Sequence, residues 1–163
     1  MRVFRHLFAP SAQRLFPVDS LQRIAAAIAD SETRHCGEIC FAVESALPMS
    51  AVLRGCDPRS RALDAFAQLR VWDTQANNGV LIYLLLADRD IEIVADRGLD
   101  GRIVPAQWEE ACALIERRMR EGQPEQAVLA GVAAVGALLA EHDPRTDGST
   151  PRNELPDLPR ILR

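Results

Sequence analysis

The sequence has 163 residues, of which 48% are hydrophobic and 26% charged, a balance typical of one soluble globular domain. Its formal net charge of −4 argues against a general binder of nucleic acid or of anionic membranes. All 19 basic residues are arginine. The absence of lysine excludes a Schiff-base lysine and a phosphate-binding loop of the GxxxxGK[ST] type.

The first 17 residues carry arginines and no acidic side chain, but they lack the unbroken apolar run of a secretory signal. We expect residues 1–17 to form a short arm that docks on the domain through its apolar side chains. These are Val3, Phe4, Leu7, Phe8, Leu15 and Phe16. The longest run of apolar or small residues, 127–140, is shorter than the ~20 residues that span a bilayer. No segment is therefore expected to insert directly into a membrane.

Helical and extended patterns alternate along the chain. The predicted elements, in order, are a helix over 19–34, a strand over 39–44, a helix over 58–71, strands over 80–87 and 91–94, and helices over 105–122 and 124–140. The apolar run 80–87 predicts a central strand that is buried on both faces. Because only Asp88 and Arg89 connect it to the next strand, those two strands must be antiparallel.

This order of elements predicts a mixed sheet that is covered by helices on both faces. The α/β domain is predicted to span residues 18–142. Residues 143–163 contain four prolines and little periodicity, which predicts a disordered tail. The four cysteines include no CxxC pair, so buried reduced thiols are favoured over a zinc site, and a cytoplasmic location is expected.

Two polar loops flank the predicted hairpin. Residues 73–79 lead into the central strand, and residues 96–101 leave the returning strand. Because the strands are antiparallel, both loops should lie at the same end of the sheet. The side chains predicted to meet there are Asp73, Asn77, Asn78, Asp96 and Asp100. Their carboxylate and amide oxygens suit Ca²⁺ or Mg²⁺, but the same residue types are also the ordinary residues of turns.

The sequence contains no motif for an organic cofactor or for nucleophilic catalysis. The three histidines are far apart, and no GxSxG motif is present. Asp88 and Asp90 follow a hydrophobic strand, as in phosphoaspartate enzymes, but position 92 is Glu and a hairpin follows instead of a helix. We therefore expect no organic cofactor.

The two loops carry a pattern that resembles the TPM domain family over roughly residues 18–142. The pattern is Trp72 followed by Asn78-Gly79-Val80-Leu81-Ile82, and then Gly98-Leu99-Asp100. The resemblance implies a three-layer α/β/α sandwich with a mixed central sheet that contains a β-hairpin. It further implies divalent-cation binding, acid-phosphatase activity, or assembly and repair of membrane complexes.

The chain resembles a short bacterial version of the family without a membrane anchor. Two positions depart from the family pattern. Asp96 stands where glycine is usual, and Pro105 lies near the place where an acidic residue is common.

Three hypotheses about function follow from the sequence. The first is a TPM-like binding or assembly module that holds a divalent cation at loops 73–79 and 96–101. Its expected partner is a protein, either in the assembly of a membrane complex or as a membrane-anchored relative, and not nucleic acid. The second is a weak acid phosphatase in which a metal at the same loops polarises a phosphoryl oxygen. The third is a purely structural domain whose loops are only turns.

Overall fold

The computed structural model describes residues 1–146 and 153–163. The described residues form seven α-helices, four strands and one short 3-10 turn. In chain order these are α1 (Arg2–Leu7), α2 (Ala12–Leu15), α3 (Val18–Glu32), β1 (Glu38–Glu44), α4 (Met49–Leu53), α5 (Pro58–Gln68), β2 (Gly79–Leu85), β3 (Asp90–Ala95), the 3-10 turn (Arg97–Leu99), α6 (Pro105–Arg120), α7 (Pro124–His142) and β4 (Arg160–Leu162).

The four strands form one mixed sheet in the order β3-β2-β1-β4. Strands β1 and β2 are parallel, with Glu38 beside Gly79 at one end and Glu44 beside Leu85 at the other. Strands β2 and β3 form the predicted antiparallel hairpin. The mixed sheet with its hairpin is therefore confirmed.

Helices cover both faces of the sheet, because alternate side chains of a strand point to opposite sides. Val80, Ile82 and Leu84 of β2 belong to one core, which α3, α6 and α7 complete. Leu81 and Tyr83 belong to a second core with residues of α4 and α5. Every residue of β1 and β2 is buried. This arrangement confirms the predicted α/β/α sandwich.

Helix α7 is long and apolar enough, by length and composition alone, to cross a membrane. In the fold it packs against α3 and α6, and seven of its residues are buried. A Cβ at Gly131 would lie 2.5 Å from Cδ1 of Ile115, so glycine permits the close approach of α6. These contacts are those of a core helix, as its apolar sequence predicts.

The prediction of a disordered tail is wrong for residues 153–163. Leu155 is buried in the second core, and β4 adds a short parallel strand to the free edge of β1. Backbone N–H groups of Glu154 and Leu155 donate to the Glu38 carboxylate. A three-residue strand is too short to show a periodic pattern of apolar residues in the sequence. It is ordered only because it pairs with the edge of β1. The rest of the predicted tail, residues 147–152, lies outside the described residues.

The N-terminal arm is oriented differently from the prediction. Phe16 is buried against Phe41, with the ring centroids 5.6 Å apart, as expected for a docked arm. In α1, Val3 packs partly buried against the second core, as predicted, and His6 is buried, whereas the other apolar side chains of that helix are exposed. The exposed residues are Phe4, Leu7 and, just after the helix, Phe8. The face of α1 held against the domain consists of Arg2, Val3 and His6.

Candidate functional site

The two polar loops meet at one end of the sheet, as the antiparallel pairing predicts. The N–H of Gly98 donates to the Asn77 carbonyl at 2.7 Å, and the N–H of Asp96 donates to the Gly79 carbonyl at 2.9 Å. A Cβ at Gly98 would lie only 2.3 Å from the Ala76 carbonyl oxygen. Glycine at this position therefore allows the two loops to lie side by side.

Asn78 lies buried where the loops meet. Its Nδ2 donates to the Cys36 carbonyl and to Oδ2 of Asp143, both at 2.9 Å. Since both neighbours are acceptors, they fix the orientation of the amide. The Oδ1 atom is consequently turned elsewhere, and it is buried without a hydrogen-bond donor among the described residues. Asn78 therefore contributes an oxygen that is free to accept.

Asp96 follows the last residue of β3 and is also buried. Its Oδ1 accepts from the N–H of Arg97 at 2.8 Å and so caps the 3-10 turn. Its Oδ2 is buried and, within the described part of the chain, has no donor. A buried acceptor without a partner costs about 1–3 kcal/mol, and more when it is charged. Such an atom calls for a water or a cation beside it.

The other predicted ligands are placed differently. Asp73 is exposed and pairs with Arg70, whose Nη2 lies 2.6 Å from Oδ2. Asp100 is exposed as well, and Asn77 adopts a left-handed backbone with φ of 51°. Across residues 1–146 and 153–163, no group of three or more His, Cys, Asp or Glu side chains could hold a metal. Of the five predicted ligands, only Asn78 and Asp96 offer buried free oxygens.

Sequence reasoning missed Asp143, which joins the site from the end of α7. One carboxylate oxygen accepts from Asn78, and the other accepts from Nη1 of Arg102 at 3.0 Å. The residue belongs to no motif, and it lies one position beyond the predicted end of the domain. Only the packing of α7 brings it beside the loops.

Two more acidic side chains lie at this end of the sheet, Glu32 at the end of α3 and Glu38 at the start of β1. Burial raises the pKa of Glu32 to about 8, although its Oε1 accepts from the N–H of Ile39 at 2.8 Å. Burial also raises the pKa of Glu38, and the nearby carboxylates of Glu154 and Asp157 add to this effect. Burial therefore favours the protonated form of both groups.

His35 lies buried at the same end and is neutral. Burial lowers its pKa to about 4. Its Nδ1 lies 2.9 Å from the Gly37 carbonyl, which can only accept, so the proton resides on Nδ1. Its Nε2 then accepts from the Ser31 hydroxyl at 3.0 Å. Both ring nitrogens are engaged, so His35 stabilises the fold and is not free as a base.

Comparison with solved structures finds the same fold elsewhere. The chain is similar to the BA42 protein from the psychrophilic bacterium Bizionia argentinensis, with 25% identity and a TM-score of 0.80. That match covers 93% of this chain and 99% of the other. It is also similar to the N-terminal domain of a protein from P. gingivalis, with 19% identity and a TM-score of 0.63, over 83% of this chain and 85% of that one. No curated protein sequence matches the chain significantly.

A comparison with family models identifies the domain itself. The model described as the TPM domain matches residues 12–138. That match spans most of the chain and includes both polar loops, the hairpin between them and the helices on each face of the sheet. The chain therefore belongs to the TPM domain family.

Proposed function

We propose that this TPM domain is a binding module that holds a divalent cation, Ca²⁺ or Mg²⁺, where loops 73–79 and 96–101 meet. A single observation carries the proposal. Two buried oxygens, Oδ1 of Asn78 and Oδ2 of Asp96, have no donor among the described residues. The backbone N–H of Asp96 donates to the carbonyl of Gly79, the residue that follows Asn78, so the two side chains belong to neighbouring strand ends.

The donor set fits a hard cation. Mg²⁺ typically takes one or two carboxylates and keeps several waters, whereas Ca²⁺ accepts carboxylate, amide and backbone oxygens in a looser shell. Asp96 would supply the negative charge, and Asn78 would supply a neutral oxygen that its own hydrogen bonds already orient. Asp73 and Asp100 are exposed, so they would contribute to the local potential more than to the first coordination shell.

An exposed tryptophan beside the loops supports a protein partner. Trp72 precedes loop 73–79 and is 46% exposed, with the Arg70 guanidinium 5.6 Å from its ring centroid. Tryptophan and arginine are enriched at the energetic centres of protein interfaces. We expect the partner to be a component of a membrane complex or a membrane-anchored relative of this chain, contacted by Trp72 next to the cation.

Thermal unfolding of the chelator-stripped protein, with and without Ca²⁺ or Mg²⁺, tests the cation site. At roughly 100 times its Kd, a bound ion adds about 2.7 kcal/mol of stability, or roughly 5–10 °C in Tm for a chain of this size. Asp96→Asn should abolish that increase, because it keeps the Oδ1 cap on Arg97 and replaces Oδ2 with a donor. Hydrolysis of a chromogenic phosphate monoester, measured on the same samples, tests the phosphatase hypothesis.

Asp73→Asn is the matched control, since it removes the same charge from an exposed position in the same site. It should leave the response of Tm to the cation nearly unchanged. If neither cation shifts the Tm of the unaltered protein, the proposal is wrong. If the cation raises the Tm of Asp96→Asn and of the unaltered protein equally, the cation binds elsewhere than at these two oxygens.

A further inference from the structure

Helix α1 has its polar side turned inward. Arg2 and His6 both bind Asp88, which lies in the turn between β2 and β3. Nη2 of Arg2 lies 2.7 Å from Oδ2, and Nε2 of His6 lies 3.2 Å from Oδ1. The N–H of Leu47 donates to Nδ1 of His6 at 3.0 Å, so Nε2 carries the proton toward Asp88. These bonds fix the helix to the domain in one orientation.

The apolar side of α1 is turned to the solvent. Phe4 is 66% exposed, Leu7 is 60% exposed and Phe8 is 81% exposed. Their spacing of i, i+3 and i+4 places them on one side of the helix. Together they expose on the order of 400 Å² of apolar surface, since an aromatic side chain alone accounts for roughly 150–250 Å². This exposed area is comparable with the largest apolar patch of a typical monomeric protein, which often has a binding function.

Arginine side chains lie beside this patch. Arg5 and Arg89 line one cleft of about 450 Å³ together with Phe8 and Pro10. Within the described residues, neither arginine side chain has a hydrogen bond or an ion pair. Of the nearby acids, Asp88 is paired with α1 and Glu116 with Arg120. Asp90 forms no side-chain hydrogen bond or ion pair in the described part of the chain, and burial raises its pKa to about 6. The two unpaired arginines therefore outnumber this one carboxyl group. The patch is therefore locally basic, although the whole chain carries a net charge of −4.

Charge and area distinguish between the possible occupants of this surface. A second copy would bring arginine against arginine, which disfavours a symmetric dimer. A stable protein interface needs roughly 800 Å² on each side, about twice what the patch offers. An anionic lipid surface requires only a few inserted apolar side chains and cationic groups beside them.

We propose that α1 docks the protein on an anionic lipid surface, with Phe4, Leu7 and Phe8 in the boundary between headgroups and acyl chains. Arg5 and Arg89 bind headgroup phosphate, to which guanidinium groups are well matched. Because Asp88 already holds α1 in place, docking requires no folding of the helix. The sequence predicts that no segment inserts directly into a membrane. Because Phe4, Leu7 and Phe8 are exposed in the folded protein, we infer instead that these three side chains do.

Co-sedimentation of the full chain with phosphatidylcholine vesicles, with and without phosphatidylserine, tests the proposal. We expect binding only to the vesicles that contain phosphatidylserine, and we expect added salt to weaken it. Phe4→Ser combined with Phe8→Ser should reduce binding by roughly tenfold or more, as should Arg5→Gln combined with Arg89→Gln. All four side chains are exposed, so Tm should change little and loss of binding will not reflect unfolding.

Val104→Ser and Arg34→Gln are matched controls, because both residues are exposed at the other end of the sheet. They should bind vesicles as the unaltered protein does. The measurements are made in chelator, so they do not depend on the proposed cation site. Three results would overturn the proposal: no binding to anionic vesicles at low salt, equal binding to both kinds of vesicle, or a solution dimer that the Phe4→Ser and Phe8→Ser changes dissociate.

Discussion

The two ends of β1 bury a glutamate each, and the fold treats the two side chains in opposite ways. At the carboxyl end, Glu44 accepts from Nε of Arg61 at 2.8 Å and from the Tyr83 hydroxyl at 2.6 Å. At the amino end, Glu38 accepts, within the described residues, only from backbone N–H groups, and burial beside other carboxylates raises its pKa. A buried acid is thus either matched by a cation or driven toward its protonated form.

The same contrast extends to the neighbouring groups at each end of the sheet. Beyond the carboxyl end of β2, Asp88 is paired with Arg2 and His6. At the other end, Asp96 and Asn78 hold buried oxygens that lack a donor in the described part of the chain. At one end of the sheet the buried acids Glu44 and Asp88 have cationic partners, whereas the other end has spare acceptors. The second end is therefore where a cation could bind.

The largest expected effect comes from Arg61→Ala, which leaves the Glu44 carboxylate buried without its cation. Removing one partner of a buried ion pair costs about 3–5 kcal/mol. Urea unfolding should show that loss in the free energy of unfolding. The control is Arg120→Ala, whose ion pair with Glu116 is far more exposed than the Arg61–Glu44 pair and whose loss should cost at most about 1 kcal/mol. Equal losses for the two variants would mean that Glu44 does not depend on Arg61.

A smaller effect is expected from Tyr83→Phe, which removes one donor from Glu44 and leaves Arg61 in place. Burial and the bond to Glu44 raise the pKa of Tyr83, so the hydroxyl stays protonated and donates at all accessible pH values. A hydrogen bond to a charged group contributes about 1.5–3 kcal/mol. The same urea titration measures this loss in the free energy of unfolding. A loss as large as that of Arg61→Ala would mean that the tyrosine, and not the arginine, keeps Glu44 in place.

A third effect concerns the pH dependence of stability at the other end of the sheet, where Glu32 lies beside the start of β1. Because the pKa of Glu32 rises from 4.5 to about 8 on folding, the native state binds more protons between these values. The contribution of Glu32 to stability is therefore fullest below pH 4.5 and falls as the pH rises toward 8. Glu32→Gln should flatten that decline, since an amide does not titrate and its oxygen can still accept from Ile39.

Glu32→Gln and the unaltered protein are best compared above pH 6.5. Below that pH, His35 makes the free energy of unfolding depend on pH in the opposite direction. The pKa of His35 falls from 6.5 to about 4 on folding, so its contribution is lost as the pH drops through that range. Unfolding free energies of Glu32→Gln and the unaltered protein should diverge as the pH rises from 6.5 to 8. Parallel curves would show that Glu32 is ionised in the folded protein.

The local sequence predicts where the two loops meet, but it does not predict which oxygens there are buried without a donor. The meeting of the two loops follows from the short hairpin between β2 and β3, which forces antiparallel pairing. Which oxygens are buried there depends on Asp143, at the end of α7, and on the Cys36 carbonyl, at the start of the β1 region. Those partners are 65 and 42 residues from Asn78, so no spacing rule connects them.

The sequence by itself determined the elements whose residues repeat with a clear period. The apolar run of β2, the proline and Asp57 cap that begin α5, and the small apolar residues of α7 each predict their own structure, because the interactions that form them are local. Tertiary structure alone decided the orientation of α1 and the return of β4. Asp88 turns the polar side of α1 inward, and the free edge of β1 orders a strand of three residues, because both depend on contacts between distant parts of the chain.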